Sequence, residues 1–515
     1  ETHNVAVGYN AGHGVTTGSQ NTLIGSLAGD ALTSGAGNTA VGYLALSTED
    51  AHGYNTAVGH SALSVYNAGA TGNAVSVGYY SGFATTTAVD CTFLGVAAGA
   101  FCTTGDSSTF VGYRAGQGIT GAKLTGNNNT AVGKDAGLLL QGAAAENCIF
   151  GALAGDAITT GGENCLFGMG AGGSIQTSIR NTFFGDDAGN TCTTGDSNVA
   201  MGHAAMGQGV TTGDFNVAIG FTAGATLTSG TLNTVMGKNA GGSINTGTQN
   251  TFVGALAGDA TDDGLNNTAV GYGALSANCT NENVAVGASA LLISTSGRNT
   301  AVGMGAGDAN TTGGGNVYIG YDCAAYQNDA TEGADNTYVG AFARPSAATV
   351  GSEIAIGRYV LGQGTLTATL GVNGNGATIS IDGSDTSWAA HSDERLKENI
   401  TTSTAGLSFI NDLRPVTYTW KAKNAISEDF VNYYDADSTD PINGVAGKTY
   451  HGFVAQEMKA TIDAHSEVAN GNNLWAERVD DIQQLAPSNL VPMLVKAIQE
   501  QNALIEALTA RIEAL

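Results

Sequence analysis

Asn38-Thr39-Ala40-Val41-Gly42 is followed one repeat later by Asn55-Thr56-Ala57-Val58-Gly59. Variants such as Asn181-Thr182-Phe183-Phe184-Gly185 carry the pattern along three quarters of the chain. The closing glycine falls at Gly8, Gly25, Gly42 and Gly59 and continues to Gly340 and Gly357, usually 17 residues apart, with occasional steps of 16 to 21. A period this regular predicts a stack of self-similar rungs, each contacting only its neighbours, and not a globular enzyme built around one central site.

The slots around that glycine say how a rung is made. The residue before it is apolar (Val7, Ile24, Phe150, Met236), and the one three before is mostly β-branched. In a strand these two share a face, while the intervening residue (Ala40, Phe110, Leu166, Tyr338) points the other way. Strands apolar on both faces need both faces covered. One face can pack inside the chain's own coil, and the other then predicts an oligomer. Four before the glycine stands Asn (Asn21, Asn129, Asn216, Asn299), placed to hydrogen-bond from rung to rung. Three after it stands Ala, followed by a second turn such as Thr103-Thr104-Gly105. The expected rung is two short strands and two turns. With 21 closing glycines, the shaft should be on the order of 100 Å long at ~4.8 Å per rung.

Composition sets limits on function. The formal charge is −26, and no Lys/Arg cluster could neutralise phosphates, so neither nucleic acid nor an anionic membrane is an expected partner. No apolar run reaches transmembrane length, so no membrane insertion is expected. The chain opens Glu1-Thr2-His3 with neither initiator Met nor signal peptide, from which a missing N-terminal attachment region is expected. Seven cysteines are odd in number and lack metal-ligand spacing. Cys148 and Cys165 share a slot in neighbouring rungs. A disulfide between them is conceivable, but two small buried residues standing in for Thr are the expectation. Asp-containing turns (Asp30, Asp156, Asp262-Asp263, Asp308) lack a calcium-roll pattern, and no metal or cofactor is expected.

The Asn-x-x-Val-Gly-x-x-Ala-Gly pattern resembles the head repeats of trimeric bacterial adhesins and of phage tail fibres. That resemblance implies a trimeric β-solenoid or β-roll over residues 1–360. After Gly357 the repeat dissolves, and 361–390 read as a short β connector or fibre tip. Within it, residues 365–382 read as alternating strands around a Gly-rich turn at 371–376.

Beyond the repeats, three stretches act together: Ser392-Asp393-Glu394-Arg395-Leu396-Lys397, Tyr450-His-Gly-Phe-Val-Ala-Gln-Glu-Met458, and Leu490-Val-Pro-Met-Leu-Val-Lys-Ala-Ile-Gln-Glu500. With Leu413–Trp420 they resemble the intramolecular chaperone domain of phage endosialidases and tail fibres, the S74 peptidase family. The resemblance covers 391–515 and implies a small α+β domain. It also implies self-cleavage beside Ser392, with Ser392 as nucleophile and Lys397 as its partner. By residue type alone, Ser392 reads instead as the cap of a helix starting near Glu394, with Lys397 solvated.

From about 490 to 515 the tail runs in heptads, with Val491, Ile498, Ile505 and Ile512 at a and Leu494, Gln501, Leu508 and Leu515 at d, a coiled-coil pattern. β-Branched a with Leu at d leans towards two strands, whereas the resemblance implies three.

The expectation is a mainly β, homotrimeric viral tail fibre, extracellular on the virion. It would meet a host cell-surface receptor, a glycan by expectation, and join the virion tail or baseplate through its N-terminal side. Its only chemistry would be single-turnover autoproteolysis. The alternatives are a cellular trimeric surface adhesin and a polysaccharide-degrading tailspike. The latter needs a carboxylate pair in a groove, and the longest inter-repeat steps, 113–133 and 321–340, add only a few loop residues, with Tyr321 and Tyr326 nearby.

Overall fold

A computed structural model describes residues 3–68, 72–325, 331–383, 389–390, 394–428, 434–469, 474–477 and 482–515. The chain divides into two compact units, Glu1–His391 and Ser392–Leu515.

The first unit is a β-solenoid. Twenty-one strands of three residues each, β1 (Val5–Val7) through β21 (Ile354–Ile356), correspond one to one with the pentapeptides. Each pairs in parallel with the next, as in Val5↔Thr22, Thr39↔Thr56 and Val317↔Thr337. From the second strand on, the middle residue of each strand is buried inside the coil, as at Leu23, Ala40, Phe110, Phe183 and Tyr338. The two flanking residues face outward along the whole shaft, so Ile24, Leu94, Phe167, Phe184 and Met236 are exposed. The alternation read from the sequence is therefore real, and it assigns the residue two before the closing glycine to the core.

Two further columns complete that core. The Ala three after the glycine is fully buried, as at Ala28, Ala115, Ala188 and Ala257. So is an apolar residue seven after it, as at Leu32, Leu140, Ile158 and Ile175.

The second strand expected in each rung is not formed among the described residues, apart from isolated bridges such as Leu124↔Gly142. The return half of a rung is turn, because left-handed residues recur at alternate positions, as at Leu27 (φ 58) and Gly29 (φ 55), and an extended strand cannot contain them. Rungs still bond to each other there, with the Gly12 amide donating to Ala28 O and the Gly14 amide to Asp30 O, both at 2.9 Å.

The closing glycine is a steric requirement. Gly168 has φ +143, and a Cβ on it would lie 2.2 Å from the carbonyl oxygen of Gly185 one rung on. Its counterparts share a φ between 127 and 144, outside the range open to L side chains.

The asparagine column is the other organising feature. Asn181 Oδ1 accepts the Asn198 amide at 2.9 Å, and its Nδ2 donates to Gly195 O at 2.9 Å. The same pair of bonds links Asn21 to Asn38 and Gly35, and Asn233 to Asn250 and Gly247. The expected ladder thus runs chiefly from side chain to backbone. Direct amide–amide bonds, such as Asn147 to Asn129 at 3.0 Å, supplement it.

Ala74, Cys91 and Ser108 interrupt the column, and Cys91 Sγ keeps one of its contacts by donating to Gly105 O at 3.4 Å. Glu353 ends it. The Glu353 amide bonds Asn336 Oδ1, while its buried carboxylate accepts from Tyr338 Oη (2.8 Å), the Ser346 amide (3.1 Å) and the Gly364 amide (2.7 Å).

Past the last rung, β22 (Thr367–Val372) pairs parallel with β21 and antiparallel with β23 (Asn375–Ser380). The hairpin turns on Asn373-Gly374, both at positive φ (52 and 79), a tighter loop than the 371–376 turn expected. A two-residue strand, β24 (Ala389–Ala390), joins β23.

The cysteines need one correction. Cys91, Cys102, Cys192, Cys279 and Cys323 are buried, and burial pushes the Cys91 thiol up to about 11 and the Cys192 thiol up to about 12. Cys148 and Cys165, expected inside, are exposed, because their slot is on the outward face.

The second unit is small and mixed. It contains antiparallel pairs β25 (Val416–Tyr418) with β26 (Tyr450–Gly452) and β27 (Trp475–Glu477) with β28 (Gln483–Leu485). Helices α1 (Leu407–Asp412), α2 (Ala455–Ala464), α3 (Ser466–Ala469) and α4 (Val491–Glu513) accompany them. Phe409, Met458, Ile462, Val468, Leu474 and Leu490 form its core.

Candidate functional site

The motif stretches beyond the repeats meet in this second unit. Leu413–Trp420 supplies β25, and Tyr450–Met458 supplies β26 and the first turn of α2, with Val416 opposite Gly452. The Arg414 guanidinium grips the Glu457 carboxylate with two parallel bonds, Nε donating to Oε2 at 2.9 Å and Nη2 to Oε1. That fork geometry fixes orientation as well as charge, and Arg414 holds the Glu457 carboxyl below its usual range.

Helix α1 has no capping side chain of its own. Its first amide, Leu407 N–H, donates instead to Glu500 Oε2 on α4 at 2.8 Å, and this bond, before the Lys496 contact, lowers the Glu500 carboxyl. Gly406 leaves room for that carboxylate, since a Cβ there would sit 2.4 Å from the same oxygen and push the Glu500 side chain aside. A cap 93 residues away in sequence left no local signal.

His465 is a second clamp. Its Nδ1 faces Glu467 Oε1 and its Nε2 faces Asp412 Oδ2, both at 2.8 Å, while Phe409 packs edge-on against the ring. Glu467 first, then Asp412, hold the imidazole above its ordinary range.

Helix α4 has two unlike faces. One buries Ala497 and brings Glu500 to α1. The other carries the heptad positions into the open: Val491, Ile498, Ile505 and Leu508 are each over half exposed, and Ile512 is 70% exposed. A 23-residue helix is about 35 Å long, so this is an extended apolar stripe that the single chain leaves uncovered.

Of the two sequence-predicted site residues, Ser392 lies outside the described residues. Lys397 is exposed and follows a single 3-10 turn, Glu394–Leu396, its amide donating to Glu394 O at 3.0 Å. The helix expected near Glu394 is that one turn. The boundary between the two units falls between His391 and Ser392, next to the residue beside which the resemblance implies cleavage.

On the shaft, Glu49, Asp50 and His52 are the one trio of potential metal ligands among the described residues. Its buried member is already engaged: Glu49 accepts the His52 amide (2.9 Å), faces His52 Nδ1 (3.0 Å) and accepts the Ala68 amide (3.0 Å). The trio reads as a structural plug that sequence spacing did not reveal.

An open cleft of about 400 Å³ lies beside two 16-residue rungs and includes Glu282, Arg298 and Asp335, with Glu282 tied to Arg298 at 3.3 Å. Tyr321 is exposed beside Phe342, and Tyr326 lies outside the described residues. Among the described residues, no helix is long and apolar enough to cross a membrane.

Residues 392–466 match the Peptidase S74 family, described as chaperone of endosialidase. The match starts at the unit boundary and ends inside α3, before α4. No curated protein matches the chain.

Proposed function

From a chaperone-of-endosialidase domain set directly behind a β-solenoid of 17-residue rungs, we propose that the chain is a homotrimeric phage tail fibre whose C-terminal unit assembles it. The fold and the family match fit a tail-fibre or tailspike type of protein and are consistent with a virion tail. The observation that carries the trimeric reading is the uncovered stripe on α4, which three copies would bury as a short coiled coil. The outward apolar face of the shaft supports it, because stacked strands with one face open to water need a second surface.

The need for a chaperone follows from the register. Every rung offers near-identical pairing, so slipping by one whole rung forfeits little. A non-repetitive C-terminal trimer would fix the alignment once, and winding would then propagate from neighbour to neighbour. Cleavage would follow: Ser392 Oγ would attack the carbonyl carbon of the adjacent peptide bond while Lys397 takes the hydroxyl proton and passes it to the departing amine as the C–N bond breaks, and water would then hydrolyse the resulting ester. A lysine serves as base only when desolvated. The exposed Lys397 therefore depends on a second copy to cover it, which couples cleavage to assembly. Removing the chaperone after winding would make unwinding slow and hard to reverse. The shaft left behind would attach to a host surface glycan.

The test pairs intact mass with light scattering on wild type, Ser392→Ala and Lys397→Ala. Wild type should yield a trimeric shaft plus a fragment beginning at 392 or 393, and both variants should remain full-length trimers. Full-length wild-type trimer would remove the cleavage claim alone. A monomer in all three proteins would remove the fibre itself. Labelled shaft that ignores glycan-bearing host cells would remove the attachment role.

A further inference from the structure

Cys148 and Cys165 open strands β9 (Cys148–Phe150) and β10 (Cys165–Phe167), which pair in parallel with Cys165 directly against Cys148. Neighbouring rungs lie about 4.8 Å apart, inside the Cα separation of about 4.4–6.8 Å that a disulfide spans. Both side chains lie on the outward face and are exposed, unlike the other five cysteines of the shaft, which are buried. Thr130 and Thr182 occupy the slot on either side, so the thiols form an isolated pair. Beside them the rings of Phe150, Phe167 and Phe184 stack at 5.1 and 5.2 Å, holding the two rungs in register. Partial burial, then the neighbouring Cys165, raises the Cys148 thiol.

We infer that Cys148 and Cys165 form a redox-active dithiol that closes into a disulfide between consecutive rungs when it meets a small-molecule disulfide. One thiolate attacks a sulfur of the oxidant, here oxidised glutathione, and expels one glutathione thiolate. The second cysteine then attacks the mixed disulfide and expels the other. The two cysteines lose two electrons and two protons, and the oxidant leaves as two molecules of reduced glutathione. Closure would bracket one complete rung covalently. Both thiols belong to one chain, so closure needs no second copy; because the trimeric reading covers this same outward face, the oxidant must reach the pair before the shafts associate.

The full chain, first reduced, is equilibrated across ratios of reduced to oxidised glutathione. It is then alkylated, cut at Glu163 between the two cysteines, and mapped by mass spectrometry. The expected product joins Cys148 to Cys165 with loss of two hydrogens, while the five buried cysteines remain alkylated as free thiols after unfolding. Amide exchange over residues 151–164 should slow on closure and recover on reduction. In Cys148→Ser, Cys165 should stop at the glutathione adduct. Thiols that both stay free at the most oxidising ratio would overturn the inference, as would glutathione retained on both. So would a Cys148 or Cys165 bridge to another chain, visible as a dimer on a non-reducing gel.

Discussion

Removing one amide from the asparagine column should open the solenoid locally and by a calculable amount. Asn181 is fully buried; its Oδ1 accepts the Asn198 amide, and its Nδ2 donates to Gly195 O. Asn181→Ala strands one buried donor and leaves Gly195 O only the weak Cys192 thiol at 3.5 Å; at about 1–3 kcal/mol each, the loss is at most ~2–6 kcal/mol in total. Because a repeat array need not unfold in one step, the readout is native-state hydrogen exchange. The Asn198 amide should exchange roughly 30- to 10⁴-fold faster, while rungs near Thr39 serve as an unperturbed reference in the same molecule.

Asn181→Asp separates the two bonds. Its carboxyl can still accept from Asn198, but as an anion it sets an oxygen against Gly195 O. The neutral acid is favoured in that place, so its folded pKa should rise above the ordinary ~3.9. The contribution to stability would then be full below that value and lost as pH rises through the folded pKa. The aspartate variant should approach wild type in acid and the alanine variant near neutrality. Alanine and aspartate variants that both match wild-type exchange at Asn198 at every pH would refute the reasoning.

Gly168→Ala should disrupt two rungs by several kcal/mol, since its Cβ meets Gly185 O at 2.2 Å, whereas Gly121→Ala, with open space around it, should stay within about 0.5 kcal/mol; parallel thermal melts decide it. Ile505→Asp should leave the second unit folded by circular dichroism, because Ile505 is exposed in the single chain, yet lower its oligomeric state in light scattering. His465 has a raised pKa, so its clamp on Glu467 and Asp412 should be fully present below the unfolded value of about 6.5 and lost as pH rises through the folded one. The stability difference between wild type and His465→Gln should therefore shrink with rising pH in denaturant titrations, and a constant difference would exclude the clamp.

How much of this was legible in the sequence depended on whether a signal was local. The strands, their in-and-out alternation and the asparagine column repeat within five residues, and the structure keeps them all. The residue seven after each glycine was missed as core because Leu32, Cys102, Ile175 and Cys192 differ too much in chemistry to look like one slot. The left-handed corners were missed because Leu27, Tyr54 and Arg114 occupy positions where glycine would have announced them. Stacking between rungs evidently supplies what those side chains forfeit locally, and no single-residue propensity records it. In the second unit the motif stretches were visible, but the Glu500 cap on α1 and the His465 clamp join residues far apart in sequence, which only folding brings together.

The asparagine column also gives the solenoid a direction of growth. Each asparagine's Oδ1 accepts from the rung that follows it in sequence, and its Nδ2 donates to a carbonyl of that same following layer, while the amide–amide bonds back to the preceding asparagine only supplement these. A strand laid down on the N-terminal side of an ordered rung finds its acceptor and donor already waiting, whereas one laid down on the C-terminal side leaves its own amide hanging until the next arrives. Glu353 satisfies its carboxylate without any further rung, and so supplies a finished template from which copying can begin. Under the proposed function, the shaft would then wind as a one-way zipper whose slider starts at the C-terminal end.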